Sequence, residues 1–387
     1  MIRRLRGYWK RAKFEYSQWR WRRYFARCRR EFDAWQQRFS ASDAQVLLGM
    51  HFHKQGGVRN HLLAIQKYSG LRVLLVPEES DLQSRLGPAV INENRERFLA
   101  TPPPGPAVAV HTHVLPMLID WAEIQAPGRL NWVHTHHALY QNEDGAGGIL
   151  PWQEQLNQAM LRAARQAHVC LCVSRWEQRQ LRQQYGINAD YLPNGVDVVL
   201  CDSAAAARFR RKSQLAEEFV LWVGRLDPVK NPRAFVELAA GQPRTQFVMI
   251  GGVTSADLQR EYGLEKPANL RLLPQLPHAD VLDAIAACRA LVVTSFREGL
   301  PTLVLEAMTL RRPLVVPAEA GCLDATDGDR CAAVYHPGDI PHLQQQLQRV
   351  LREDRANEPG RQRVLQEFDW RVVAGKLDQI YQSTGLA

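Results

Sequence analysis

Glu298 and Glu306 stand eight positions apart in "SFREGLPTLVLEAM", residues 295–308, and Glu306 is the only charged residue between Glu298 and Arg311. A carboxylate in an apolar run is costly to bury without a polar partner. Gly299 and Pro301 lead into a helix whose first turn holds Thr302 and Leu303, and backbone N–H groups at a helix start are ready donors to phosphate. Thr302 and Glu306 are four residues apart and share a helix face. Glu306 there suits a hydroxyl-bearing ligand such as a ribose diol, while the helix start holds phosphates. A buried pair with an arginine is the alternative. Seventy residues earlier, "LWVGRLDPVKNPRAF" reads strand, turn, helix: Gly224 permits a tight turn, and Asn231–Pro232 reads as N-cap and first helical residue. Lys230 therefore lies beside a helix start whose dipole disfavours a cation, and Arg225 adds a second positive charge. A bound diphosphate resolves the conflict; two solvated surface cations are the alternative.

The first half offers histidines instead. Seven of the twelve fall in three clusters: His51/His53, His111/His113 and His134/His136/His137. Each H-x-H pair ends a predicted strand, so its two rings point to one face. No cysteine or carboxylate joins them at ligand spacing, which argues against a zinc triad. The expectation is no metal, and a rim of His51, His111, His113 and His136 that hydrogen-bonds sugar hydroxyls; for each ring the alternative is a satisfied core histidine. Gly56 and Gly57 open a helix, and their small size permits close backbone approach to a diphosphate; an ordinary strand-to-helix turn is the other reading.

Positioning these residues requires a scaffold, and the chain alternates short apolar strands with longer helical stretches. Strands are predicted at 44–50, 71–77, 107–114, 130–136 and 167–174, then at 219–226, 246–252, 270–274, 290–295 and 313–318. Helices are predicted at 57–68, 152–166, 175–185, 232–240, 278–288 and 302–310. Two such series with near-continuous apolar strands indicate two parallel, doubly wound sheets. The seam falls near "LPNGVD", 192–197, and ligands in such folds sit at the carboxyl ends of strands, which directs attention to a cleft between two domains.

The 387 residues are 45% hydrophobic and 23% charged, enough for two globular domains. Seven cysteines without a C-x-x-C pair fit a reducing cytoplasm. No apolar run approaches the ~20 residues of a spanning helix. The net charge of +9 is local: residues 1–40 hold 13 Lys/Arg against 3 Asp/Glu, a net of +10, with eleven aromatics. That charge makes the segment unlike a signal peptide. Trp21, Phe25, Cys28, Phe32, Trp35 and Phe39 recur at helical spacing with arginines on other faces, the pattern of a basic amphipathic helix lying on an anionic membrane. Packing on its own fold or on a partner is the alternative. The remaining chain, near −1, has no basic groove for nucleic acid.

"GRLDPVKNP", "SFREGLPTLVLEAMTLRRPLVV", "VSRWEQRQL", "YLPNGVD" and "GGVRNHLL" together resemble glycosyltransferase family 4, retaining enzymes of GT-B fold, over most of residues 44–380. The resemblance implies roles residue by residue. Arg225 and Lys230 would neutralise the departing nucleoside diphosphate, Glu306 would hold the ribose, and Glu298 the donor sugar. Gly224, Gly299, Leu300, Thr302 and Leu303 would line the donor, and His134 would approach the reactive carbon. Gln275 replaces a usual glycine and Thr294 a common proline, which leaves the choice of base open. No catalytic base, metal or other cofactor is implied, the nucleotide-sugar being a substrate. The implied domains are 1–40, a basic helix; 41–197, the acceptor side; 198–368, the donor side; and 369–387, a helix crossing back. The implied setting is transfer to a glycan or lipid-linked glycan in envelope polysaccharide or lipopolysaccharide assembly, at the inner face of the cell membrane. A sugar-nucleotide epimerase, a phosphorylase and a non-catalytic binding module are the competing readings.

Overall fold

The computed structural model describes residues 2–49, 57–76, 87–137, 139–140, 149–215 and 218–383; His51, His53 and Gly56 lie outside them. Twelve strands form two six-stranded sheets among the described residues. The first contains β1 (Val46–Gly49), β2 (Val73–Val76), β3 (Ala109–Thr112), β4 (Asn131–His136), β5 (Val169–Cys172) and β6 (Asp190–Tyr191), in the order β2-β1-β3-β4-β5-β6. The second contains β7 (Phe219–Val223), β8 (Gln246–Ile250), β9 (Leu270–Leu273), β10 (Ala290–Val292), β11 (Leu314–Pro317) and β12 (Ala333–Tyr335), in the order β12-β11-β10-β7-β8-β9. Strand pairs such as β1–β3, β7–β8 and β10–β11 run parallel. All ten predicted strands are present, shorter by up to three residues at either end. β6 and β12, of two and three residues, were too short to announce themselves in the sequence.

Parallel sheets covered on both faces need apolar side chains in both directions, and the second sheet shows this strand by strand. Phe219, Leu221, Val248, Ile250, Leu291 and Val316 enter one core, whereas Val220, Trp222, Phe247, Met249, Val292 and Val315 enter the other. The helices that cover the faces match the predicted bounds closely, including Gly57–Tyr68, Arg175–Tyr185 and Pro232–Ala240.

The chain divides into two compact units. One comprises Met1–Thr135, Gln155–Val169 and Asp378–Ala387; the other comprises His136–Glu154 and Cys170–Leu377. In the first unit the N-terminal helix, Ile2–Ser40, divides the stripe expected from Trp21 to Phe39, and its second part follows the alternative of packing on its own fold. Cys28, Phe32, Trp35 and Phe39 are buried at 0–4% exposure. Trp35 packs 5.5 Å from Phe98, and Phe39 meets Trp121 edge-on at 6.2 Å. Asn94 Nδ2 donates to the Cys28 carbonyl, and Arg97 pairs with Asp33 at 2.6 Å. The apolar face of residues 28–39 therefore belongs to the core of this unit. Trp19, Trp21 and Phe25, one to two turns earlier, are 49%, 54% and 40% exposed.

Candidate active site

The loop after β7 is held in place by its own caps. Asp227 caps the short 3-10 turn Pro228–Lys230 by accepting from the Val229 N–H. Asn231, at φ +47°, caps the Pro232–Ala240 helix by accepting from the Ala234 N–H, as the Asn-Pro pair predicted. The loop is also tied to the end of β10. Thr294 Oγ1 donates to the Lys230 carbonyl at 2.8 Å and accepts from Trp222 Nε1 at 2.9 Å, and the Phe296 N–H donates to the Val229 carbonyl. Thr294, a departure from the family pattern, thus acts as a clasp between the two candidate loops.

This clasp places Lys230 Nζ 2.6 Å from Glu298 Oε1, with the side chains 29% and 13% exposed. The two residues are a single ion pair at the carboxyl edge of the second sheet, where the sequence had assigned them to separate groups. Arg225 is nearby in sequence but 82% exposed, its guanidinium 3.3 Å from Asp227. Gly224 earns its place by close approach: a Cβ there would sit 2.6 Å from the Trp222 ring. Its carbonyl lies so near Gly251 that any Cβ on Gly251 would overlap it.

Glu298 and Gly299 are anchored from the next strand loop. A Cβ on Gly321 would lie 2.4 Å from both the Glu298 and the Gly299 carbonyl oxygens, so only glycine lets this loop settle. Glu319, 9% exposed, caps the Ala320–Thr326 helix through the Cys322 N–H. Burial pushes its carboxyl upward, opposed by hydrogen bonds from the backbone of Glu298, Gly321 and Cys322. Sequence reading missed Gly251, Glu319 and Gly321, because each acts on a loop far away in the chain.

The Thr302–Thr309 helix starts from Pro301 with no side-chain cap, leaving Thr302 and Leu303 at an open helix start. One turn on, Glu306 is 8% exposed and its Oε1 accepts from His278 Nε2 at 2.7 Å. The buried carboxylate has a histidine partner, where the alternative had named an arginine. His278 sits at the start of the His278–Ala287 helix, and its hydrogen bond to Glu306 raises its pKa above the usual histidine value against a smaller opposing effect of burial. Asn194 of "LPNGVD" donates to the Leu300 carbonyl at 3.4 Å, and Val196 exchanges backbone hydrogen bonds with Phe368 and Trp370.

In the first unit, Gly57 begins the Gly57–Tyr68 helix. His111 corrects the reading of a polar rim. It is fully buried, with Nδ1 2.6 Å from the Tyr381 hydroxyl and Nε2 2.7 Å from Thr135 Oγ1. Both nitrogens are taken by the core, and burial holds its pKa well below the ordinary histidine range. His113 is 1% exposed with its ring 4.2 Å from that of His111. His134, also buried, places Nδ1 3.0 Å from Thr112 Oγ1 across the β3–β4 register. In the second unit, His136 Nε2 lies 3.6 Å from Glu177 Oε2, with both side chains buried.

The family model described as "Glycosyltransferase Family 4" matches residues 59–200, and that described as "Glycosyl transferases group 1" matches residues 204–364. A D-inositol 3-phosphate glycosyltransferase of Kineococcus radiotolerans is 28% identical over 240 residues, 53% of this chain and 55% of that protein. A putative teichuronic acid biosynthesis glycosyltransferase of Bacillus subtilis, TuaC, is 28% identical over 166 residues, 41% of this chain and 40% of its own. The chain thus spans about half the length of the curated relatives it matches. Among solved structures, sucrose-phosphate synthase of Thermosynechococcus elongatus superposes with a TM-score of 0.70 at 21% identity, covering 87% of this chain and 98% of its own. Anabaena HepE in complex with UDP-glucose superposes with a TM-score of 0.69 at 16% identity, covering 88% and 100%. WaaG, a glycosyltransferase involved in lipopolysaccharide biosynthesis, gives 0.62 at 15% identity, covering 88% and 100%. These likenesses establish the fold as GT-B, with its two parallel α/β sheets. Between them the two family models match 59–200 and 204–364, the first ending just past "LPNGVD", and the chain belongs to glycosyltransferase family 4.

Proposed function

We propose that the protein transfers a hexosyl or related sugar from a nucleotide-sugar donor to a glycan or lipid-linked glycan, with retention at the anomeric carbon. The observation that carries this reading is the Lys230–Glu298 pair, beside the open helix start that leads to Glu306. Lys230 is pre-placed as a cation, and Glu298 holds it there without burying it fully. A diphosphate at the helix start takes over the neutralisation of Lys230, assisted by Arg225. Glu298 is then released to bind sugar hydroxyls, and Glu306 meets the ribose with the carboxylate oxygen not turned to His278. As the sugar leaves, charge builds on the diphosphate, where Lys230 and the helix N–H groups face it. Each such cation lowers the barrier by about 3 kcal/mol. The departing phosphate takes the acceptor's proton on the same face, so no side-chain base is needed. Two positive side chains and a helix start do the neutralising, and the reaction needs no divalent metal.

The setting we infer is envelope polysaccharide or lipopolysaccharide assembly, by analogy with TuaC in teichuronic acid biosynthesis and WaaG in lipopolysaccharide biosynthesis. The exposed rings of Trp19, Trp21 and Phe25 in the first helix, within a basic stretch of sequence, would hold the enzyme on the cytoplasmic face of an anionic membrane. A thermal-shift screen against nucleoside diphosphates and their sugars tests the donor. At a hundredfold its dissociation constant, the right one stabilises by ~2.7 kcal/mol. Radiolabelled sugar recovered on an acceptor in the presence of a strong chelator completes the test. Release of an epimer or a sugar phosphate in its place, or loss of transfer on chelation, would overturn the reading.

A further inference from the structure

The second unit carries a basic cavity of about 480 Å³ at the amino edge of its sheet. Arg210, Arg289, Arg311, Arg312 and Arg355 line it against only two acids, Glu218 and Asp354. Both acids are spent on one residue, at 3.3 and 3.5 Å from Arg289. Arg311 turns to Glu358 at 2.8 Å. Arg312 and Arg355 form no ion pair among the described residues.

Part of this arrangement has a structural cause. The helices His278–Ala287, Thr302–Thr309 and Ile340–Glu353 all end at this cavity, and helix carboxyl ends attract cations. Arg289 Nη2 donates to the Leu351 carbonyl at 2.6 Å, Arg312 Nη1 to that of Cys288 at 3.4 Å, and Arg210 Nη2 to that of Ala287 at 3.5 Å. These contacts hold the three guanidinium groups against the helix ends. Arg312 Nε is buried without a hydrogen-bond partner. A buried unsatisfied donor on a charged group is costly, and here it lies beside a space large enough for a small molecule.

We propose that this cavity binds a soluble phosphorylated small molecule carrying at least two negative charges. Phosphate accepts two parallel N–H bonds from a guanidinium, which suits the planar forks of Arg312 and Arg355, and the excess of arginines over acids favours more than one negative charge. The site is separate from the donor residues. Arg289 precedes β10 and Thr294 follows it, a span of ~17 Å at ~3.3 Å per residue, so the two lie at opposite edges of the sheet. Its presence does not depend on the donor assignment.

Inorganic pyrophosphate is the probe, titrated calorimetrically into the full chain carrying Lys230→Ala, which disables the diphosphate candidates at the other edge. Saturable binding should persist in that background. Adding Arg355→Glu or Arg312→Gln should weaken it at least tenfold. Arg355 is exposed, so its variant decides the matter if Arg312→Gln lowers the melting temperature. Absence of saturable binding in the Lys230→Ala protein overturns the proposal, as does an affinity unchanged by Arg355→Glu.

Discussion

At the scale of single residues, the site is a set of charges stored in pairs. Lys230 is neutralised by Glu298 and Glu306 is answered by His278, so neither carboxylate lacks a partner. Lys230→Ala should lower turnover by a hundredfold or more with the fold intact, read as kcat for sugar transfer alongside the melting temperature. Glu306→Ala should chiefly weaken nucleotide binding, by about 1–3 kcal/mol, measured by calorimetry. Near-normal transfer by both variants would remove the donor assignment. The His278–Glu306 contact adds a pH dependence whose sign follows from the raised histidine pKa. The folded state holds the proton more tightly than the unfolded chain does. The resulting stability is complete below the unfolded value, ~6.5, and disappears as pH rises through the raised folded value. Wild type should therefore gain melting temperature relative to His278→Gln on acidification from pH 8 to pH 6. Parallel curves for the two proteins would show that the pair does not hold its proton.

At the scale of elements, helix starts and strand ends do the positioning, and each is fixed by residues from another loop. Thr294 clasps the Lys230 turn, and Gly321 and Glu319 seat the Glu298 turn. The N-terminal helix obeys the same rule of remote partners. Its second half presents Phe32, Trp35 and Phe39 to Phe98 and Trp121, so these rings are core and not appendage. Trp35→Ala should cost about 3–5 kcal/mol, visible in chemical denaturation. Removal of residues 2–40 should expose this core and give an unstable or insoluble protein. A stable, nucleotide-binding 41–387 fragment would contradict the packing.

At the scale of the whole molecule, charge is segregated: the first forty residues carry +10 and the remainder is near neutral. Removing only residues 2–26 spares Cys28, Phe32, Trp35 and Phe39, while deleting Trp19, Trp21 and Phe25 and most of the basic charge. That variant should fold, yet lose binding to phosphatidylglycerol vesicles. The intact chain should release from them as salt rises toward 1 M, where the Debye length falls to ~3 Å. Equal vesicle binding by the shortened protein would remove the membrane assignment.

What the sequence determined alone was local. Strand and helix periodicity located ten of the twelve strands, and the Asn-Pro cap placed Lys230 at its helix start, because those signals lie within a few residues of one another. The motif spacing was enough for the family. Tertiary structure decided which partners meet. That Lys230 closes on Glu298, that Glu306 is answered by His278, and that Gly321 makes room for Glu298 all depend on contacts between loops 20 to 70 residues apart. His111 shows the limit from the other side. Its H-x-H spacing looked like a ligand rim, but Tyr381, 270 residues away, takes one ring nitrogen and Thr135 the other. The aromatic stripe of the first helix has one period from Trp21 to Phe39. Only its packing on Phe98 and Trp121 separates the part that builds the core from the part left exposed, since periodicity marks a face without naming what covers it.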